Sequence, residues 1–177
     1  MKRRQFIKTS IAGGVTIGLC GAGAVWLGAE VAGEHLTIDA ALNRLGSLSG
    51  KTITNTGEWN PGQIFTHCAQ SVEYSLTGFP VHKSRLFKNS AGQIAFSFFS
   101  YRGEMMHGLS NPIPGAPPLG ADDDVEVASI RLKTALLAFK HHDGDLAPHF
   151  AYGKLSKRDY EIAHVIHFYN HLQEIRG

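Results

Sequence analysis

Apolar residues recur every three or four positions over a long stretch in the second half of the chain, which is the spacing of one buried helical face. The apolar members of this stretch are Val125, Ala128, Leu132, Ala135, Leu136 and Phe139. Three carboxylates, Asp122 to Asp124, precede it and favour the positive end of a helix macrodipole. The pattern predicts a helix that begins after Asp124 and ends near His141.

Capping residues mark the limits of a second predicted helix. Asn60 is a good N-cap, Pro61 suits the first helical position, and Gln63 stands where a capping box requires an amide. Gly78 then interrupts the pattern. These signals together predict a helix from Pro61 to about Thr77.

Two more helices are indicated near the two ends of the body of the chain. Ser156 and Asp159 form another capping box, and the apolar pattern behind it predicts a last helix that runs to about Ile175. A weaker pattern predicts a short helix that begins near Thr37 and is limited by Gly46. Four helices predict an all-α fold, a four-helix up-and-down bundle, in which facing helices bring distant side chains together.

The middle of the chain has no clear period. From Val81 to Gly103, apolar residues such as Ile94 and Phe96 fit either a strand-like or a short helical segment, and both remain open. The stretch from Gly103 to Asp124 is rich in proline and glycine. It predicts a long ordered loop or a lid.

The N-terminus resembles a twin-arginine export signal. The paired arginines Arg3 and Arg4 are followed by an apolar run over residues 9–29 that carries no charge. We expect residues 1–30 to be a signal peptide, or to remain as a membrane anchor through 9–29, and residues 37–177 to form the helical bundle domain. The expected location is periplasmic or extracytoplasmic, with anchoring to the inner membrane left open.

The charge and the cysteine content argue against two classes of protein, those that bind nucleic acid and those that are held together by disulfides. Four of the 17 lysines and arginines lie in the N-terminal segment, so 13 basic side chains remain against 15 acidic ones, a formal charge of −2. A mildly acidic body without a basic stripe gives no reason to expect a nucleic-acid partner. Cys20 lies in the signal and leaves Cys68 without an intramolecular partner, which favours a fold without disulfides and a buried structural thiol.

The candidate metal ligands are histidines of two predicted helices. His167 and His171 stand four residues apart, so their imidazoles project from one face of the last helix. A pair at this spacing is more often incidental than metal-binding, so a third ligand is needed. His67 lies on another helix, and a bundle can bring it to the pair. Three neutral histidines would leave an open position for water, as in catalytic zinc sites.

Three further histidines are candidates for the pocket or for contacts with the ligands. His164 lies three residues before His167 and is otherwise an exposed or core histidine. His149 is placed to approach the site from the last loop, although its surroundings also fit a polar helix end. His107 can cover the opening from the proline-rich loop, and loop polarity explains it equally well.

The segment around His67, the last helix with His167 and His171, and the connection over residues 148–156 together resemble the DinB/YfiT-like superfamily of four-helix metalloproteins, in particular a branch that often carries export signals. The resemblance spans roughly Thr37 to the C-terminus. It implies a divalent metal, most often zinc or nickel, held by the three histidines with water at the open positions. Superfamily members of known activity transfer low-molecular-weight thiols, isomerise substrates with thiol help, or hydrolyse small molecules.

The expected function is therefore that of an exported metal-dependent enzyme acting on a small molecule, either a hydrolase with metal-activated water or a thiol transferase. The alternative is a non-catalytic module of the cell envelope that is braced by metal or binds a ligand. A fourth protein ligand such as His149 or His164 would favour the alternative, because structural zinc usually has four protein ligands. Bundles of this superfamily often dimerise, so a homodimer is also an expectation.

Overall fold

The computed structural model describes residues 35–177, and these form a mainly helical fold. Its helices are α1 (Ile38–Gly46), α2 (Pro61–Thr77), α3 (Arg85–Lys88), α4 (Ala91–Arg102), α5 (Val125–His141) and α6 (Lys157–His171). The all-α prediction is confirmed over this range. None of these helices is both long and apolar enough to cross a membrane. The predicted signal or anchor, residues 1–30, lies outside the described residues.

The capping box predicted at the start of α2 is confirmed. The Asn60 side chain accepts a hydrogen bond from the Gln63 backbone N–H at 2.9 Å, and the Gln63 side chain accepts one from the Asn60 N–H at 3.0 Å. Each bond satisfies a backbone donor that the first helical turn would otherwise leave free. The helix ends at Thr77, as predicted, because Gly78 adopts a φ of 104°, which favours glycine.

The predicted limits of α5 are confirmed, and those of α6 are confirmed at its start only. The side chain of Ser156 caps α6 by accepting from the Asp159 backbone N–H at 3.1 Å. The helix then ends at His171, so the predicted extension to Ile175 is wrong. A short 3-10 turn follows, and Ile175 belongs to a strand.

This strand, β2 (Ile175–Arg176), pairs antiparallel with β1 (Thr54–Asn55), which lies between α1 and α2. The backbone N–H of Thr56 also donates to the carbonyl of Glu174 at 2.8 Å. Apolar Ile175 continues the helical period of α6, but it lies beyond the 3-10 turn and pairs with a distant part of the chain, which the local pattern does not reveal.

The core lies where α2 packs against α5 and α6, with α1 packed on α5 and α6. Its large side chains that are almost fully buried are Ile64, Phe65, Leu132, Leu136, Phe139, Tyr160, Val165, Ile166 and Phe168. Cys68 is a free buried cysteine, as predicted, and burial raises the pKa of its thiol.

The segment that the sequence left undecided forms α3 and α4. Helix α4 buries little more than Gly92 and Phe96, whereas Ile94 and Phe98 on it are exposed. Gly92 approaches the last loop so closely that a Cβ there would lie 2.1 Å from the carbonyl oxygen of Ala151. The following loop, over residues 103–124, contains no helix or strand, which confirms the predicted loop.

Truncation of the core at the packing of α2 on α5 is expected to destabilise the fold. Leu132 is 0% exposed, so Leu132→Ala should lower the free energy of unfolding by about 2–5 kcal/mol in urea denaturation. Ile130 on the same helix is 59% exposed, and Ile130→Ala should change it by less than about 0.5 kcal/mol. Equal losses in the two variants would contradict this packing.

Candidate metal centre

The structure brings His67, His167 and His171 together between α2 and α6. The Nε2 atom of His167 lies 3.1 Å from Nε2 of His67 and 3.2 Å from Nε2 of His171. One ring nitrogen from each residue can be chosen so that all three lie within 4.8 Å of one another. His167 and His171 reach this point from successive turns of α6, while His67 reaches it from the second turn of α2. We call these three residues the histidine trio.

The spacing of the trio fits the coordination of one divalent cation. Two nitrogens that each lie 2.0–2.1 Å from a tetrahedral zinc ion are separated by about 3.3 Å, close to the observed distances. Hydrogen bonds alone satisfy the trio poorly. The single Nε2 of His167 offers either one proton or one in-plane lone pair, so it cannot pair well with both neighbours.

The trio is electrostatically suited to bind a cation. Burial lowers the pKa of His67 to about 3 and that of His171 to about 2, and burial together with the neighbouring imidazoles holds the pKa of His167 well below its usual value. The rings are therefore neutral at physiological pH, the form that binds metal. Within residues 35–177 the group contains no carboxylate or thiol, so its three ligand atoms would leave a bound ion its full charge.

Aromatic packing against Trp59 helps to orient two rings of the trio. The Nδ1 atoms of His67 and His171 are buried and have no hydrogen-bond partner among the described residues. The Trp59 ring stacks on His171, with centroids 6.0 Å apart and planes 12° apart, and also lies 4.9 Å from the His67 ring. Sequence reasoning missed Trp59, and its position directly before the Asn60 cap was the only available signal.

His107, from the long loop, lies beside the trio but outside the group of converging nitrogens. Its ring centroid is 5.0 Å from those of both His167 and His171. Its Nδ1 lies 2.9 Å from the carbonyl oxygen of Gly108, which assigns the proton to Nδ1. Its Nε2 is buried without a hydrogen-bond partner among the described residues and so keeps a free lone pair.

His164 does not join the trio. Its Nε2 lies 3.1 Å from the hydroxyl oxygen of Ser75, and that hydroxyl donates to the Val72 carbonyl at 2.6 Å. Nε2 of His164 must therefore be the donor to Ser75. Burial lowers the pKa of His164 to about 3, so the ring is neutral.

Hydrogen bonds within its own loop hold His149 in place. Its Nδ1 accepts hydrogen bonds from the backbone N–H groups of Ala151 and Tyr152 at 3.2 and 3.1 Å. The Tyr152 ring stacks on it at 4.3 Å. Burial is the main cause that lowers its pKa to about 3. Neither His149 nor His164 therefore supplies a nitrogen to the trio.

A cavity of about 300 Å³ lies against the trio, with His67 and His167 in its wall. This volume is at the lower end of the range for small-molecule sites. Its lining residues are His67, Ser71, Lys83, Met105, His107, Asn111, Pro112, Ile113, Pro114, His149, Phe150, Tyr152, Ala163, His164 and His167. The long loop supplies six of them, from Met105 to Pro114, so it forms one wall of the cavity.

Comparison with known proteins assigns the chain to a family. Residues 34–177 match the family model described as Protein of unknown function (DUF1569). The chain belongs to this family. The match covers all the described residues, and therefore the whole of the trio and of the cavity. No curated protein and no solved structure matches the chain.

The hydrogen bond between His164 and Ser75 is expected to stabilise the fold rather than the trio. Ser75→Ala leaves the buried Nε2–H of His164 without an acceptor, so the free energy of unfolding should fall by about 1–3 kcal/mol. Ser97→Ala, an exposed position on α4, is the matched control and should stay within about 0.5 kcal/mol. Urea denaturation measures both. An unchanged Ser75→Ala variant would contradict the assigned donor.

Proposed function

We propose that this protein is a metal-dependent enzyme that acts on a small molecule, with His67, His167 and His171 holding one divalent cation. The observation that carries the proposal is that Nε2 of His167 lies 3.1 Å from Nε2 of His67 and 3.2 Å from Nε2 of His171, beside a cavity of about 300 Å³. Zinc or nickel is the expected ion, since imidazole nitrogens suit both.

The protein residues would position the ion and shape its surroundings. When bound, the cation would act as a Lewis acid that acidifies a water molecule or stabilises a thiolate. The trio would hold it from one side and leave the side towards the cavity open. Met105, Ile113 and Phe150 would exclude bulk water from the substrate, which strengthens electrostatic interactions there.

Hydrolysis and thiol transfer would both require the trio to hold a cation, but the two reactions differ in the source of the nucleophile. Hydrolysis needs water alone. Thiol transfer needs a thiol, and Cys68 cannot supply it, because its side chain is 2% exposed and burial raises the pKa of its thiol. Cys68 is the one cysteine within residues 35–177, so a thiol transferase that uses this part of the chain would take its thiol from a second small molecule.

The fold and the location form part of the same proposal. Helices α1, α2, α5 and α6, which share the core, would correspond to the four helices of a DinB/YfiT-like up-and-down bundle. The twin-arginine pattern at Arg3 and Arg4 supports export, so the reaction would take place outside the cytoplasmic membrane.

Removal of any member of the trio should abolish metal binding. His67→Ala, His167→Ala and His171→Ala should each reduce the metal content from about one ion per chain to a small fraction of that, measured by elemental mass spectrometry. The exposed His141→Ala variant is the control and should keep its metal. Full metal retention in all three variants would refute the proposal.

Addition of zinc tests the same ligands through stability. At about 100 times its dissociation constant, zinc should raise the free energy of unfolding of the wild-type protein by about 2.7 kcal/mol. The three alanine variants should show no such rise, provided that circular dichroism shows them to be folded. Zinc that stabilises the variants as much as the wild type must bind elsewhere.

His107 favours a second candidate function, that of a non-catalytic module whose metal is closed by a fourth protein ligand. Its Nε2 is buried, unpartnered among the described residues and carried by a ring 5.0 Å from two rings of the trio. A small movement of the loop would add it to the coordination sphere. Four protein ligands are typical of structural zinc, and three are typical of catalytic zinc.

Substitution of His107 separates the two candidates. For an enzyme with an open position, His107→Ala should leave the affinity for cobalt within a few-fold of the wild-type value. For a closed structural site, loss of the fourth ligand should weaken binding by roughly tenfold to a hundredfold or more. Competition with a chromophoric chelator measures the affinity, and the visible absorption of bound cobalt reports any change in coordination number.

A further inference from the structure

We propose that the cavity beside the trio selects a small organic carboxylate, whose anionic group pairs with Lys83 and with the Nε2–H of His149. This inference rests on the proposed function for its reaction, because it names the class of substrate that the centre would act on. The binding site itself is argued from residues outside the trio.

The charge of the cavity wall favours an anion. Among the described residues that line it, none is an aspartate or glutamate, and Lys83 is the only lysine or arginine. Burial lowers the pKa of His149 and of His164 in the wall, so these two rings are neutral at physiological pH. Lys83 is therefore the permanent positive charge in the described part of the wall, although the body of the protein is mildly acidic. A bound metal would make the cavity still more positive.

Lys83 is free to meet a ligand. No carboxylate pairs with its ammonium within residues 35–177, whereas Lys140 and Arg131 each form an ion pair with an acidic side chain. Its backbone is fixed, because the Lys83 N–H donates to the carbonyl of Phe150 at 2.9 Å. This bond ties the Lys83 segment to the loop that carries His149, so both groups are presented to the same cavity.

His149 supplies a preorganised neutral donor. Because its Nδ1 accepts two backbone N–H groups, the proton of the neutral ring lies on Nε2, at the opposite edge. The residue is only 8% exposed and lines the cavity, and its side-chain hydrogen bonds to the described residues are both made at Nδ1. Tyr152 stacked on one face and Phe79 at the edge fix the ring. An N–H that has no partner among the described residues, on a ring in the cavity wall, favours an acceptor on the ligand.

These two groups match a carboxylate better than a phosphate. One ammonium and one neutral N–H suit a group with a single negative charge and two acceptor oxygens. Phosphate sites generally use arginine forks or several backbone N–H groups, and no arginine within residues 35–177 lines this cavity. The remaining wall, with Met105, Ile113 and Phe150, suits an apolar body attached to the carboxylate.

Benzoate and benzamide test the inference, because they have nearly the same shape and differ in charge. Ligand-observed NMR titration of the full-length, zinc-loaded protein should show benzoate binding at least about tenfold more tightly than benzamide. Lys83→Met removes the charge and keeps the apolar stem, so it should abolish this preference. Lys83→Arg should retain most of it. Phenyl phosphate should bind more weakly than benzoate.

His149→Asn is the matched variant for the neutral donor. The asparagine oxygen can accept the two backbone N–H groups in place of Nδ1, while no atom replaces Nε2. Benzoate should bind several-fold more weakly to this variant, with the melting temperature close to that of the wild type. If the variant fails to fold, the Lys83 series decides alone.

Several results would overturn the inference. The inference is wrong if benzoate does not bind in the millimolar range, or if benzoate and benzamide bind equally. It is also wrong if phenyl phosphate binds more tightly than benzoate, or if the Lys83→Met variant keeps the wild-type preference for benzoate over benzamide. Loss of the preference in His67→Ala, with Lys83→Met unaffected, would show that the ion alone attracts the carboxylate and would also overturn it. A preference that depends on Lys83 in a protein that takes up no metal would refute the proposed function and leave this inference standing.

Discussion

The mutual approach of three uncharged imidazoles is the constraint on which the site depends. The Nε2 atom of His167 lies 3.1 and 3.2 Å from those of His67 and His171, and hydrogen bonds within the group cannot satisfy all three nitrogens. Protonation is no remedy, because a buried positive charge beside two other rings is disfavoured, as the low pKa values of His67 and His171 indicate. A single cation would satisfy every lone pair at once.

The fold holds these rings in place through contacts on both sides of the trio. Helix α2 is packed along α5 and begins at Pro61, six residues before His67, with a complete capping box at its start. Helix α6 ends at His171, and the chain then enters the strand pair that joins Ile175 to Asn55. Because β1 precedes α2 and β2 follows α6, this small sheet ties the two ligand-bearing helices together near the trio. Trp59, between β1 and α2, packs against two of the rings.

Local signals account for the parts of the structure that the sequence predicted. Caps and helical spacing act over a few residues, so the limits of α2 and α5 and the placement of His167 beside His171 could be predicted from them. The rest depends on contacts between distant segments. Ile175 continues a helical period but pairs with Asn55, and the exposed apolar residues of α4 obscured its helical pattern. Trp59 packs against the trio and Lys83 lines the cavity only because the fold brings segments that are distant in the sequence together.

The long loop links the chemistry of the centre to the shape of the cavity. It contributes Met105 and Ile113 to the apolar wall and places the free Nε2 of His107 beside the trio. With the loop as observed, three nitrogens converge among the described residues, and His67 and His167 of the trio lie in the cavity wall. If His107 moved inward, it would supply a fourth nitrogen and occupy the space that a substrate needs. An open catalytic centre and a closed structural one would thus differ in the position of one loop, since both require the same three ligands on α2 and α6.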